Sequence, residues 1–318
     1  MTKHLSLLFL LIICKLHAQT TETIILSETD PHDLYHSWDK DSTTLFYKLY
    51  VPKTKPKAAL VILPGSGETI DYVEPQISLH KLAVDNGILV IFPSINWGTN
   101  KHTYEHEMLD KIFTQVIKRF NLAKDRFVLG GFSGGGMLSL TYTEKANRDK
   151  GSTVIIPRAV WGIDPPLDYA HLWQHCINDI ERNFSDVAFA EGKWITEMYT
   201  QEFGGSPSQF PQNYIKYSIY SRSEKDGGNA KYLLKSPVLL YTEPDVVWSM
   251  ENRHRDFYDL NAMDISAMIN LLQLGGNKNA QLIVTHDKGY RPNGQRHPHS
   301  WSIMDNQQCF DWIMKQLN

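Results

Sequence analysis

The amino-acid sequence predicts the α/β class: a mainly parallel central sheet with helices on both faces, plus a helical, lid-like insertion. Three observations carry this. Residues 58–63, 87–93 and 126–131 are short, nearly continuous apolar runs, the pattern of strands buried on both faces. Segments with helical spacing alternate with them, as a doubly covered parallel sheet requires. The stretch from about 165 to 235 is too long for an ordinary connection and is rich in Trp, Tyr, Gly and Ser.

Taken in chain order, residues 44–51 alternate well enough to be an early strand, so the sheet is expected to begin there, and 52–57 reads as a turn. The run at 58–63 stops abruptly at Pro64-Gly65-Ser66-Gly67. A helix is expected over 78–86, a strand over 87–93, then a helix over 105–120 with Met108, Leu109, Ile112, Val116 and Ile117 on one face. The buried strand at 126–131 leads through a tight turn at Ser133 into a helix over 134–145. Further strands are expected at 158–162, 237–241 and 280–284, with a helix at 262–274 and a closing helix from about 302 to 317. No repeat or second domain boundary is visible, so residues 19–318 are read as one domain with an insertion at about 165–235.

With 32 basic against 35 acidic residues and 42% hydrophobic content, nothing in the composition favours nucleic acid or an anionic membrane as partner. A small-molecule or carbohydrate ligand fits better. Lys3 precedes an apolar run at 5–13 that is too short to span a membrane, and Ala18 precedes Gln19. Residues 1–18 are therefore expected to be a cleaved export signal, and the protein to be secreted or periplasmic. Cys14 lacks the small residues that precede a lipid-modified cysteine, so no stable membrane anchor is expected. Cys176 and Cys309 are too few for a disulfide framework and read as isolated core thiols.

Gly131-Phe132-Ser133-Gly134-Gly135 matches G-x-S-x-G. The pattern alone would arise by chance in roughly one chain in ten of this length, so its context matters more. Here it joins a buried strand to an apolar helix, where small residues let the chain turn sharply, project a serine hydroxyl and aim the next amide at a developing oxyanion. Ser133 is thus the candidate nucleophile and Gly134 N–H the first oxyanion donor. The glycine loop ending the 58–63 strand could supply a second donor from Ser66 or Gly67.

Together with Glu202-Phe203-Gly204-Gly205-Ser206-Pro207 and the later Tyr214, and with His299-Ser300-Trp301, this turn resembles the α/β-hydrolase superfamily. The likeness is to its esterase and dipeptidyl-peptidase-like branch, over about residues 47–317. His299-Ser300-Trp301 is similar to the His-Ser-Tyr of S-formylglutathione hydrolases. The chain departs from that pattern in having Pro64-Gly65-Ser66-Gly67 where many relatives have a His-Gly pair, and in its long segment 286–299.

The resemblance implies a triad in the chain order serine, acid, histidine, without metal or organic cofactor. His286, His297 and His299 follow the last strand; His299, just before an apparent helix start, is the preferred base. Glu243 and Asp245 lie beyond the 237–241 strand; Asp245, stiffened by Pro244, is the preferred acid. Asp164, after the neighbouring strand, is a minor alternative. The implied activity is a secreted serine hydrolase, a carboxylesterase working through an acyl-serine on a small-molecule or carbohydrate-linked ester. The alternatives are a serine peptidase of the same fold and a non-catalytic binding protein. Trp161, Trp173, Trp194, Tyr199 and Phe203 are candidates either for an aromatic substrate wall or for core packing.

Overall fold

The computed structural model describes residues 19–37, 43–99, 101 and 103–318; the expected export signal lies outside the described residues. Eight strands form one sheet: β1 (Thr20–Ser27), β2 (Leu45–Val51), β3 (Ala58–Leu63), β4 (Ile88–Pro93), β5 (Phe127–Phe132), β6 (Ala159–Ile163), β7 (Val238–Thr242) and β8 (Ala280–Val284). Their order across the sheet is β1-β2-β4-β3-β5-β6-β7-β8. β1 and β2 pair antiparallel, as do β2 and β4; every pair from β4–β3 to β7–β8 is parallel.

The sheet begins earlier than the 44–51 strand predicted as its start, so the strand leading into Ser133 is the fifth. β1 is an edge strand with one neighbour, and its polar TTET start and partly exposed side chains lack the apolar run that marks its inner neighbours.

The helices are α1 (Ile70–Val73), α2 (Leu79–Asp85), α3 (Tyr104–Phe120), α4 (Gly134–Arg148), α5 (Tyr169–Arg182), α6 (Asp186–Phe203), α7 (Pro211–Tyr217), α8 (Val246–Arg253), α9 (Asn261–Leu274) and α10 (Asn306–Leu317). Because strand side chains alternate, Leu60, Ile62, Val90 and Val128 pack with α2 and α10 on one face, while Ala59, Val61, Leu89 and Leu129 pack with α3 and α4 on the other. The six residues of β3 are all buried, which is why its sequence is apolar without alternation.

Between β6 and β7 the chain makes α5, α6, α7 and a short 3-10 turn, Gly228–Leu233. Asp168 and Ser185 cap α5 and α6 by accepting backbone N–H groups of the first turn. Gly192 lets the two helices approach closely, since a Cβ there would lie 2.8 Å from Cys176 O. Tyr169, Tyr199, Phe203 and Tyr214 form the aromatic centre of this excursion, with ring centroids 4.9 to 6.2 Å apart. The excursion and the loops after β3, β5, β6, β7 and β8 surround one cavity at the carboxyl ends of the strands.

Candidate active site

The turn after β5 is built by close contact. A Cβ on Gly131 would sit 2.3 Å from Leu63 O, and one on Gly135 would sit 2.2 Å from Leu63 O and 2.4 Å from Pro64 O. Only glycine allows the start of α4 to lie directly against the end of β3. Between them Ser133 takes φ 50° and ψ −117°, a backbone conformation that L-residues rarely adopt and that stores strain of order ~1–3 kcal/mol. Its N–H donates to Ile163 O at 2.9 Å, anchoring the turn to the end of β6. Among the described residues the Ser133 hydroxyl has no hydrogen-bond partner, and it faces the cavity.

His299 also lines the cavity, its ring 4.4 Å from that of Phe132, the residue before the serine. Its Nδ1–H donates to Asp164 Oδ2 at 2.7 Å, leaving Nε2 for exchange with a hydroxyl. Asp164 follows β6 with φ 48°. Its N–H is tied to Tyr241 O at 2.8 Å, and Thr242 Oγ1–H donates to Oδ1 at 2.6 Å. Asn261 Nδ2 donates to Asp164 O at 2.9 Å. The carboxylate is thus oriented before it meets the imidazole.

This corrects the acid expected after β7: the structure does not bring Asp245 to His299. Asp245 caps α8 by accepting Trp248 N–H at 3.0 Å, and its other oxygen pairs with Arg296 at 2.5 Å. Glu243 is equally occupied. It is 1% exposed and accepts from Thr285 Oγ1, Lys288 N–H, Gly289 N–H and Arg296 at 2.6 to 3.1 Å. Arg296 lies three residues before His299, so the β7 carboxylates hold the histidine's loop and not its ring.

The other two histidines have different surroundings. His297 Nδ1–H donates to His299 O at 2.8 Å, and burial, followed by the charges of His299 and Arg291, pushes its pKa down to about 3. It is a neutral ring whose Nε2 faces Arg253 at 3.5 Å. His286 is exposed and outside the cavity wall.

For an oxyanion, Gly134 N–H at the first turn of α4 and Ser66 N–H have no partner among the described residues. They are close: a Cβ on Gly134 would lie 3.4 Å from Ser66 N. Gly67 N–H, the other expected donor, is committed to Asn96 O at 2.9 Å. Two residues unassigned from sequence brace this loop. Asn96 Nδ2 also donates to Glu68 O, and Glu68 Oε2 accepts both Gly65 N–H and Trp301 Nε1–H, at 3.0 and 2.8 Å. Glu68 therefore joins the loop after β3 to the loop that carries His299; burial raises its pKa despite those bonds.

No family model and no curated protein sequence matches the chain. Solved structures do. The acylaminoacyl peptidase of Pyrococcus horikoshii aligns with a TM-score of 0.55 and 13% identity, over 95% of this chain and 41% of the peptidase. The chain thus spans about two fifths of that protein's length. An S-formylglutathione hydrolase from Agrobacterium tumefaciens aligns with a TM-score of 0.55 and 12% identity, over 94% of this chain and 96% of that one. The chain has the α/β-hydrolase fold.

In this α/β-hydrolase fold the cavity has a volume of about 890 Å³. Trp194 and Tyr199 of α6 contribute to its wall, and Trp97 packs 4.7 Å from Trp194. Trp161, Trp173 and Phe203 do not line it. Trp161 is fully buried in the α2/α10 face, with its indole where a Cβ on Gly130 would be, and Phe203 and Trp173 pack against Tyr214.

Proposed function

We propose that the protein is a serine hydrolase that cleaves carboxylic esters through an acyl-serine intermediate. The observation that carries this reading is the 2.7 Å His299–Asp164 bond on the same cavity wall as the strained Ser133 turn.

In the proposed reaction Ser133 Oγ attacks the ester carbonyl carbon while His299 Nε2 takes the hydroxyl proton. Asp164 fixes the tautomer and stabilises the imidazolium. Gly134 N–H and Ser66 N–H receive the oxyanion, aided by the amino end of α4. The carbonyl re-forms, the C–O bond to the alcohol breaks, and His299 returns its proton to that oxygen. Water then repeats the sequence and releases the acid.

The wall near this triad favours an ester over a peptide with a free amino terminus. Glu191 on that wall is within 3.3 Å of Arg255 and 3.7 Å of Arg253, a setting that repels an ammonium group. The leader-like residues 1–18 support export, with small-molecule or carbohydrate esters as substrates met outside the cytoplasm.

The reading is tested by treating the protein and its Ser133→Ala variant with a fluorophosphonate probe while following hydrolysis of p-nitrophenyl acetate. Labelling and turnover in the parent protein only are expected. Equal activity in both proteins would overturn the assignment of Ser133, and no labelling of either would favour a non-catalytic binder.

A further inference from the structure

Arg253 ends α8 with its side chain 11% exposed, on the wall of the same cavity. A guanidinium presents five N–H donors, and burying it without acceptors is unfavourable. Among the described residues this one makes a single hydrogen bond, 3.5 Å to His297 Nε2, and approaches Glu191 Oε2 only to 3.7 Å.

The charges around it do not balance. Arg255 takes Asp179, with bonds of 2.5 to 3.1 Å, and also approaches Glu191 at 3.3 Å. Arg291, on the same wall, has no ion-pair partner among the described residues. Asp259 is held by Arg182 at 2.6 Å and Asp164 by His299. His175 and His297 are both driven toward the neutral form, by burial first. Arg253, Arg255 and the exposed Arg291 therefore share two carboxylates on this wall, Asp179, which Arg255 and His175 already engage, and Glu191.

The titration behaviour agrees with this imbalance. Burial, then the Arg255 cation, lowers the pKa of Arg253, whereas for Arg255 the lowering effect of burial is outweighed by the hydrogen bonds to Asp179 together with the negative charges of Glu191 and Asp179. Burial would raise Glu191, but Arg255 and then Arg253 outweigh it, so Glu191 is ionised. Its side chain is 48% accessible although protein surrounds it, because what it meets is the cavity.

We propose that Arg253, with Arg291 beside it, is a carboxylate-binding subsite, and that the preferred ester carries a carboxylate a few bonds from its scissile carbonyl. A carboxylate accepts two parallel N–H bonds from a guanidinium and would supply the missing negative charge. The spacing suits such a substrate. His297 stands between the two functions: its ring centroid is 6.5 Å from that of His299, and its Nε2 is 3.5 Å from Arg253. Because neutral His297 donates through Nδ1, its Nε2 accepts from Arg253 and leaves the other guanidinium N–H groups to the ligand. Trp97, Trp194 and Trp248 give apolar surface for the body of the substrate.

This inference rests on the hydrolase reading, and its test separates the two. The full chain and its Arg253→Gln and Arg253→Lys variants are assayed with mono-p-nitrophenyl glutarate, which carries its carboxylate on the acyl side, and with 4-acetoxybenzoate, which carries it on the leaving group. Each is paired with its neutral methyl ester, and the readout is the ratio of kcat/KM within each pair, which cancels any loss common to both. The parent protein should prefer one charged ester by about ten- to a hundredfold, through KM, with Arg253→Gln losing the preference and Arg253→Lys keeping part of it. The preferred ester identifies the side on which the carboxylate belongs. Fluorophosphonate labelling of each variant verifies that the site has folded.

If the parent protein is labelled and turns over but shows no charged-ester preference in either pair, or if Arg253→Gln keeps the preference, the subsite is overturned and the hydrolase reading stands. If the parent protein is not labelled, the hydrolase reading fails and the subsite is judged by calorimetric titration with glutarate: binding abolished by Arg253→Gln supports it, and absence of binding overturns it.

Discussion

Replacing Asp164 by Asn distinguishes the two neighbouring strand ends, of β6 and β7, from which the acid could come. Thr242 Oγ1–H donates to Asp164 Oδ1 at 2.6 Å and His299 Nδ1–H to Oδ2 at 2.7 Å. In the amide one of those oxygens becomes an NH2. With the carbonyl end kept on Thr242, the NH2 faces His299 Nδ1, which must then accept. The ring proton moves to Nε2, and the base can no longer take a proton from Ser133. Removing a triad acid in this way is expected to lower kcat by ~10⁴, or about 5 kcal/mol of barrier. Stability should change little, because Asn tolerates the positive φ and preserves the Thr242 bond. Asp245→Asn is the control: Asn caps a helix as well as Asp, and Arg296 keeps Glu243, so turnover should stay within about threefold. The assay is p-nitrophenyl acetate hydrolysis at matched concentration, with thermal melts to verify the fold. Retention of more than about a tenth of the activity in Asp164→Asn, together with a hundredfold loss in Asp245→Asn, would return the acid to the end of β7.

Two further outcomes follow from buried groups. Glu243→Ala strips Arg296, Thr285 Oγ1 and two backbone N–H groups of a common acceptor and should destabilise the protein by about 3–5 kcal/mol, read by urea denaturation; a loss below about 1 kcal/mol would contradict its anchoring role. His106 and His297 are both pushed to about 3 by burial, from an ordinary value of 6.5. Above that ordinary value both are neutral folded or unfolded, so neither affects stability. As the pH falls from there toward 3, only the unfolded chain takes up their protons, and each removes up to ~1.4 kcal/mol per pH unit. The contribution of His297 is the smaller, because it borders the cavity. Denaturation midpoints between pH 7 and 4 should therefore fall, and a flat profile would refute the assignment.

What could be read from sequence was what local pattern determines. The inner strands are buried on both faces, so their apolar runs stand out, and the glycines beside Ser133 mark the close approach of β3 and α4. β1 escaped notice because an edge strand needs no such run. The carboxylate that meets His299 is not legible in the sequence for a different reason. Sequence spacing locates Glu243 and Asp245 at a strand end, but it does not show that Arg296, 51 residues after Asp245, already holds them. Gly67 is the same case: its amide is consumed by Asn96, which nothing adjacent announces. Trp161 was ambiguous until the parallel register placed it opposite Gly130, whose missing side chain makes room for the indole.

That register also explains why the histidine can be served from β6 without changing the fold. Ile163 pairs with Tyr241 across parallel strands, so the next residues, Asp164 just past β6 and Thr242 at the end of β7, lie side by side, one strand spacing apart, and are hydrogen bonded to each other. A carboxylate on either chain could reach an imidazole lowered from the loop after β8. Which one does so depends on which carboxylate is free. The long loop after β8 brings its own cation, Arg296, and this half-buried guanidinium draws the β7 carboxylates more strongly than a neutral imidazole does. Among the described residues Asp164 faces no competing cation; its other partners, Thr242 and Asn261, are neutral donors that orient it without neutralising it. The same arginine that engages Glu243 and Asp245 also donates to Gly289 O and so holds the loop on which His299 stands, leaving Asp164 as the carboxylate that meets the imidazole.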